Sequence, residues 1–168
     1  INDSLEMRKV YLNTFKKESV VIAYGATIKK SEDPSLIQQW LINPKEYYLV
    51  VGRMIPDNNA DIIVKGFLAS NSTKKMVLVG DVFYKDKYAD ELKALKDDRL
   101  IFTGYVHDPE VLAALYHHCY VYVHGHEFGG TNPTMIKAMA YGSAILALNT
   151  VFNKEMLNND SYGIYFEK

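Results

Sequence analysis

Several short segments put residues able to hold an anion at the ends of apolar runs. The first is residues 121–142, VYVHGHEFGGTNPTMIKAMAYG. An apolar run there ends in His124-Gly125-His126, adjacent Gly129 and Gly130 follow, and Asn132-Pro133 has the form of a helix cap with proline at the first helical position. Free backbone N–H groups at such a start attract negative charge, with a dipole contribution of about 0.3–1 kcal/mol, and paired glycines permit close backbone approach. The plain alternative is a tight turn between a strand and a helix. In the second segment, residues 51–67, Arg53 follows Gly52 at the end of the apolar run 47–51. A guanidinium there suits a diphosphate, through charge-assisted hydrogen bonds of roughly 1.5–3 kcal/mol each; a surface pairing with Asp57 or Asp61 is the alternative. The third segment ends the run 100–102 in Thr103-Gly104-Tyr105-Val106-His107-Asp108. A flat base could bond backbone groups near Val106 and lie against Tyr105. Gly80 and Asp81, after the run 76–79, complete the set.

These residues share a site only if the runs that carry them lie side by side. Residues 20–23, 47–51, 76–79, 100–102, 121–123, 144–148 and 163–166 read as strands, most of them apolar on both faces, as in a parallel sheet covered by helices on each side. The stretches between supply helices: about 5–17 behind a cap from Asp3 and Ser4, then 61–70, 88–96, 109–118 behind Asp108-Pro109, and 133–141 closed by Gly142. A Tyr24-Gly25 turn leads into 27–45, which holds Asp33-Pro34, Asn43-Pro44 and a short helix near 35–42, and reads as a connection between domains. The fold class is α/β: a doubly wound parallel sheet with helices on both faces. Its carboxyl edge gathers the loops above, and a nucleoside diphosphate is long enough to touch several of them. No G-x-G-x-x-G follows the first strand, against a dinucleotide, and no G-x-x-x-x-G-K-[ST] occurs, against P-loop chemistry.

Composition narrows the partners. With 19 Lys plus Arg against 20 Asp plus Glu, the formal net charge of −1 lacks the basic excess that nucleic-acid binding uses. No apolar run approaches the roughly 20 residues of a membrane span, though peripheral contact with a bilayer stays open. The lone Cys119 fits a reducing compartment and a small buried hydrophobe; a cytoplasmic location is expected, with room for association at the inner face of the membrane. His124 and His126 project from one strand face, but no third ligand accompanies them, so no metal is expected. His117 and His118, at a helix end where positive charge is favoured, read as structural, as do Met135 and Met139. Lys85, Lys87, Lys93 and Lys96 alternate with acids as on a solvated face. The chain starts with Ile, as a piece of a longer protein would.

From residue 3 to 168 the ordered motifs resemble the carboxy-terminal, donor-binding half of retaining glycosyltransferases with the two-Rossmann GT-B fold, the glycosyl transferases group 1 type. The matching pieces are Gly52-Arg53 with Pro56-Asp57-Asn58-Asn59, Val79-Gly80-Asp81, Ile101-Phe102-Thr103-Gly104-Tyr105-Val106, and residues 126–142. Pro-Asp-Asn-Asn with Gly-Gly-Thr-Asn-Pro is most similar to a bacterial rhamnosyltransferase-like subgroup. The resemblance implies a nucleoside diphosphate sugar as donor, with dTDP or UDP as the nucleotide and dTDP-rhamnose foremost, no cofactor, and transfer with retention to a glycan or lipid-linked acceptor. It also implies donor contacts from Gly52, Arg53, Asn58, Gly80, Asp81, Tyr105, Val106, His126, Gly129, Gly130, Thr131, Asn132 and Lys137, with Arg53 and Glu127 in catalytic roles.

Two glutamates of that family fall here on Gly129 and Lys137; Glu127 lies near the first, and an ammonium at the second cannot accept ribose hydroxyl protons. A family lysine after the arginine is replaced by Asn58 or Asn59. By the same resemblance residues 1–28 are the end of an acceptor-binding domain, 29–45 a connection, and 46–168 a nucleotide-sugar-binding domain cut at its C-terminus, inactive in transfer by itself. A noncatalytic sugar-nucleotide-binding or assembly domain is the second reading. A sugar-nucleotide epimerase is the third, and its catalytic acids are not found in this chain.

Overall fold

The apolar runs form one six-stranded sheet in which every neighbouring pair is parallel: β1 (Tyr47–Val51), β2 (Lys75–Val79), β3 (Leu100–Gly104), β4 (Val121–His124), β5 (Ala144–Leu148) and β6 (Ile164–Phe166), in the spatial order β3-β2-β1-β4-β5-β6. The computed structural model describes residues 1–29 and 31–168. Lys30, within the connection expected at 29–45, lies outside them.

Alternation along β1 explains why both faces are apolar. Tyr47 and Leu49 enter one core with Val77, Leu115, Tyr122, Met135 and Ile145, while Tyr48 and Val50 pack against a second core of Ile63, Val64, Phe67, Met76, Leu78 and Val123. Each fully buried aliphatic side chain contributes about 1.5–3 kcal/mol. Helices α1 (Leu5–Phe15), α2 (Ala60–Ala69), α3 (Lys87–Lys93), α4 (Pro109–His118), α5 (Pro133–Ala140) and α6 (Val151–Met156) complete the chain. α2 buries Ala60, Ile63, Val64 and Phe67, the spacing of a single helical face. α4 and α5 start as their sequences dictate: the Asp108 and Asn132 side chains accept from the N–H groups of Glu110 and Thr134, and Pro109 and Pro133 need no donor. Gly142, at φ 69°, ends α5. Among the described residues no helix is long and apolar enough to cross a membrane.

Local differences from the sequence reading have identifiable causes. Residues 20–23 form no strand: only Val21 bridges, to Asn2, and Val20 and Ile22 stay exposed because no second strand runs beside them. No turn forms at Tyr24-Gly25. Residues 35–42 are replaced by a 3₁₀ helix, Pro34–Trp40. α6 is an additional helix, only six residues long and capped by Thr150.

Candidate functional site

With the strand order seen here, the chain reverses its direction of growth between β1 and β4, and the crevice outside their carboxyl ends is where open α/β sheets bind ligands. A cavity of about 390 Å³ lies there. The ends of β1 and β2 make one wall, with Val50, Val51, Leu78 and Val79 as apolar lining. Gly52 and Gly80 close its floor: the Gly80 N–H donates to the Gly104 carbonyl (2.8 Å) and the Gly52 N–H to the Val79 carbonyl (3.0 Å). Gly80 holds φ 119°, and a Cβ there would stand 2.1 Å from the Gly52 oxygen, so this backbone approach requires glycine.

Arg53 leaves the end of β1 exposed and enters no ion pair among the described residues. The alternative pairing with Asp61 is pre-empted, because Asp61 holds Lys65 (3.1 Å) and the Tyr88 hydroxyl (2.9 Å). Asn58 ties two loops together. Its Nδ2 donates to the Arg53 carbonyl (2.7 Å), which leaves Oδ1 to accept from His126 Nδ1 (2.8 Å). His126 is therefore protonated on Nδ1, and burial holds its pKa below the usual imidazole value, so it is neutral near pH 7.

A second relay reaches the cavity from α5. Asn132 Oδ1 accepts from both the N–H (3.0 Å) and the hydroxyl (2.8 Å) of Thr134, the Thr134 oxygen accepts from the Tyr122 hydroxyl (2.8 Å), and that hydroxyl meets His124 Nδ1 at 3.2 Å. His124 is 4% exposed; burial, aided by His126, pushes its pKa down to about 3. Its Nε2 has no hydrogen-bond partner among the described residues.

The expected contacts divide into two groups. Gly52, Arg53, Asn58, Gly80, Tyr105, Val106, His126 and Asn132 border the cavity; Asp81, Glu127, Gly129, Gly130, Thr131 and Lys137 do not. The glycine turn is the main correction. The Thr131 N–H donates to Asp3 Oδ2 (3.0 Å), the Thr131 hydroxyl to the Asp3 carbonyl (2.9 Å), and the Asn132 N–H faces the Met156 sulfur (3.3 Å). A Cβ on Gly130 would lie 2.0 Å from Asp3 Oδ1, so its openness admits this chain's own carboxylate and not a ligand. The Tyr24 hydroxyl donates to the Thr131 carbonyl. Of the amides expected to be unpaired, that of Thr131 is thus engaged by the N-terminal segment and that of Asn132 by α6.

The other corrections are also matters of prior engagement. Both Asp81 oxygens bond Lys93 at 2.6 Å, which holds that carboxyl below its ordinary value, so neither Asp81 nor Lys93 is simply solvated. Glu127 is paired with Lys168, whose hydrogen bond lowers its pKa, and sits 3.5 Å from Asn59 Nδ2. Lys137 lies a turn inside α5. Tyr105 donates its hydroxyl to the Asp81 carbonyl (2.7 Å), and Phe83, 85% exposed, stacks on its ring at 4.5 Å and 8°. That stack covers one face of the Tyr105 ring, and Tyr105 borders the cavity while Phe83 does not. The sequence reading did not place Met54, Leu112, His124 or Thr134 in the site. For His124 a signal existed in its two-residue spacing from His126. Among the described residues no three His, Cys, Asp or Glu side chains converge as metal ligands.

Comparison with known proteins bears on the family and the fold. The sequence profile of the family described as glycosyl transferases group 1 matches residues 45–168. No curated protein sequence matches the chain. Among solved structures, HepE of Anabaena in complex with UDP superposes over 99% of this chain with a TM-score of 0.83 at 17% identity. Sucrose-phosphate synthase from Thermosynechococcus elongatus superposes over 98% at 0.77 and 19%, and the pneumococcal O-GlcNAc transferase GtfA, in complex with UDP and GlcNAc, over 99% at 0.72 and 15%. At such identities the likeness is one of fold. The chain corresponds to 49%, 44% and 33% of those three proteins, so it spans at most about half of their lengths.

Proposed function

The chain belongs to the glycosyl transferases group 1 family, and from that membership we propose that it is the nucleotide-sugar-binding half of an enzyme that transfers a sugar from a nucleoside diphosphate donor to a glycan or lipid-linked acceptor. The observation that carries the reading is an unpaired guanidinium at the mouth of a largely apolar cavity, at the switch point of the sheet. Arg53 supplies charge for a diphosphate, the backbone near Val106 supplies donors and acceptors for a base, and among the described residues no carboxylate pairs with the arginine. The Anabaena and pneumococcal structures hold UDP, and UDP or dTDP is the donor nucleotide here. Likeness of Pro56-Asp57-Asn58-Asn59 and Gly129-Gly130-Thr131-Asn132-Pro133 to the rhamnosyltransferase-like subgroup favours dTDP-rhamnose and retained configuration. Residues 1–28 are read as the end of the acceptor-binding domain, 29–45 as the connection and 46–168 as the donor domain.

In this mechanism Arg53 stabilises the departing diphosphate, a preorganised charge aimed where negative charge grows. The α5 start contributes its dipole, while the Thr131 and Asn132 amides, being occupied, contribute no direct bond. Acceptor binding and proton removal belong to the remainder of the enzyme. Titration calorimetry with dTDP, UDP and GDP tests the reading: saturable binding that Arg53→Ala weakens supports it, and a folded chain that binds none of the three overturns it. A noncatalytic sugar-nucleotide-binding module is the second reading. The engagement of Glu127 by Lys168 favours it, because that carboxylate is then not free for chemistry. Transfer activity of the complete protein in which this chain occurs separates the two.

A further inference from the structure

Among the described residues three buried polar side-chain atoms have no hydrogen-bond partner: the Tyr116 hydroxyl, His118 Nε2 and His124 Nε2. Only His124 borders the cavity at the switch point. Buried polar groups are satisfied as a rule, and an exception at a cavity wall calls for a partner from outside the chain.

The relay from α5 fixes what that partner must be. Asn132 Oδ1, held in place by the Thr134 N–H, can only accept, so the Thr134 hydroxyl proton lies on the Asn132 contact. The Thr134–Tyr122 contact then needs the tyrosine proton, and the Tyr122–His124 contact needs a proton on Nδ1. No other arrangement places one proton in each contact. His124 is thus a neutral imidazole whose Nε2 carries a bare lone pair.

We propose that His124 is a hydroxyl-recognition residue, its Nε2 accepting a hydrogen bond from a ribose or hexose hydroxyl of a nucleotide sugar held in the cavity. The inference rests on the nucleotide-sugar reading and assigns one of its contacts. Phosphate oxygens bring only lone pairs and are repelled by Nε2, whereas they suit Arg53, which only donates. Of the other polar side chains of the wall, Asn58 is committed at both ends of its amide, Asn132 and Thr134 to each other, and His126 at Nδ1 to Asn58. Arg53 therefore marks the phosphate end of the cavity and His124 a hydroxyl end.

Calorimetry on wild type and His124→Phe, with UDP-glucose, UDP and inorganic pyrophosphate as probes, tests the proposal. The variant is expected to bind UDP-glucose about tenfold more weakly, the size of one net hydrogen bond, while pyrophosphate binding stays within about twofold. A parallel loss with UDP identifies a ribose hydroxyl; unchanged UDP binding identifies a hexose hydroxyl. Equal UDP-glucose affinity in the two proteins overturns the proposal and leaves the donor-site reading standing. A wild type that binds neither nucleotide overturns both. If the phenylalanine variant does not fold, ¹⁵N NMR of the wild-type imidazole decides instead. A proton on Nδ1 and an Nε2 resonance that moves on saturation with UDP-glucose support the proposal, and a proton on Nε2 or an unmoved resonance refutes it.

Discussion

Arg53 stands where a fixed charge does most for a bound diphosphate and least for the fold. It is exposed and unpaired among the described residues, so its removal leaves no buried charge behind and disturbs no packing. Arg53→Ala is expected to weaken UDP binding by about 10- to 100-fold, the range of one or two charge-assisted bonds, with an unchanged urea midpoint. Arg53→Lys should recover only part of the loss, because a point charge cannot reproduce the paired fork. A shifted midpoint with unaltered binding would make the arginine structural. Arg53, Gly52 and Gly80 were legible in the sequence because strand end, residue type and spacing are all local. The engagement of Thr131 by Asp3 was not, since the partners lie 128 positions apart and no local pattern announces the contact. Asp3→Ala is expected to release the Thr131 amide, read as faster hydrogen exchange at that residue and little change at β1; equal exchange in both proteins would mean the contact is not populated in solution.

At the scale of elements, helix starts and tight backbone crossings hold the cavity in shape. Asn132 does two things at once: it caps α5 and anchors the relay that orients His124. Asn132→Ala should therefore cost about 0.5–2 kcal/mol of stability, measured by urea unfolding, with Asn132→Asp retaining most of the cap. A loss no larger than that of an exposed surface alanine would show the cap to be unimportant. Gly80→Ala forces a side chain into a positive-φ backbone and onto the Gly52 carbonyl, so it should cost more than the roughly 1–3 kcal/mol of the conformation alone. Elements with strong periodicity and a capping residue, such as α4, appear in the structure as the sequence reads. Those that depend on a distant neighbour do not. Residues 20–23 carry the apolar run of a strand but find only Asn2 beside them, and α6 is too short for its period to register.

The molecule as a whole gathers three histidines whose burial favours the neutral ring. His118 sits at the end of α4, where sequence alone points to a charged imidazole favoured by the helix dipole, yet burial, with His117 adding to it, lowers its pKa. His126 is lowered by burial as well, and His124 reaches about 3. For each, the unfolded chain takes up a proton near pH 6.5 that the folded chain refuses, so the unfolded state binds more protons as pH falls below that value. The stability these rings contribute is present in full above about pH 6.5 and drains away on acidification, by at most about 1.4 kcal/mol per pH unit per histidine, continuing for His124 toward pH 3. The paired carboxylates act lower: Asp81, held down by Lys93, and Asp97, drawn to about 2 by Arg99, lose their contribution only as pH falls below about 4. Urea unfolding across pH 7 to 3 should therefore show stability falling already between pH 6.5 and 4.5, before carboxylate protonation begins. His124→Phe removes one titrating ring and should flatten the curve from about pH 6.5 toward pH 3 by about one proton, leaving the carboxylate part of the drop below pH 4 in place. A wild-type curve that is level down to pH 4.5, or a variant curve of the same slope, would mean that His124 is open to water, and the buried lone pair at the cavity wall would go with it.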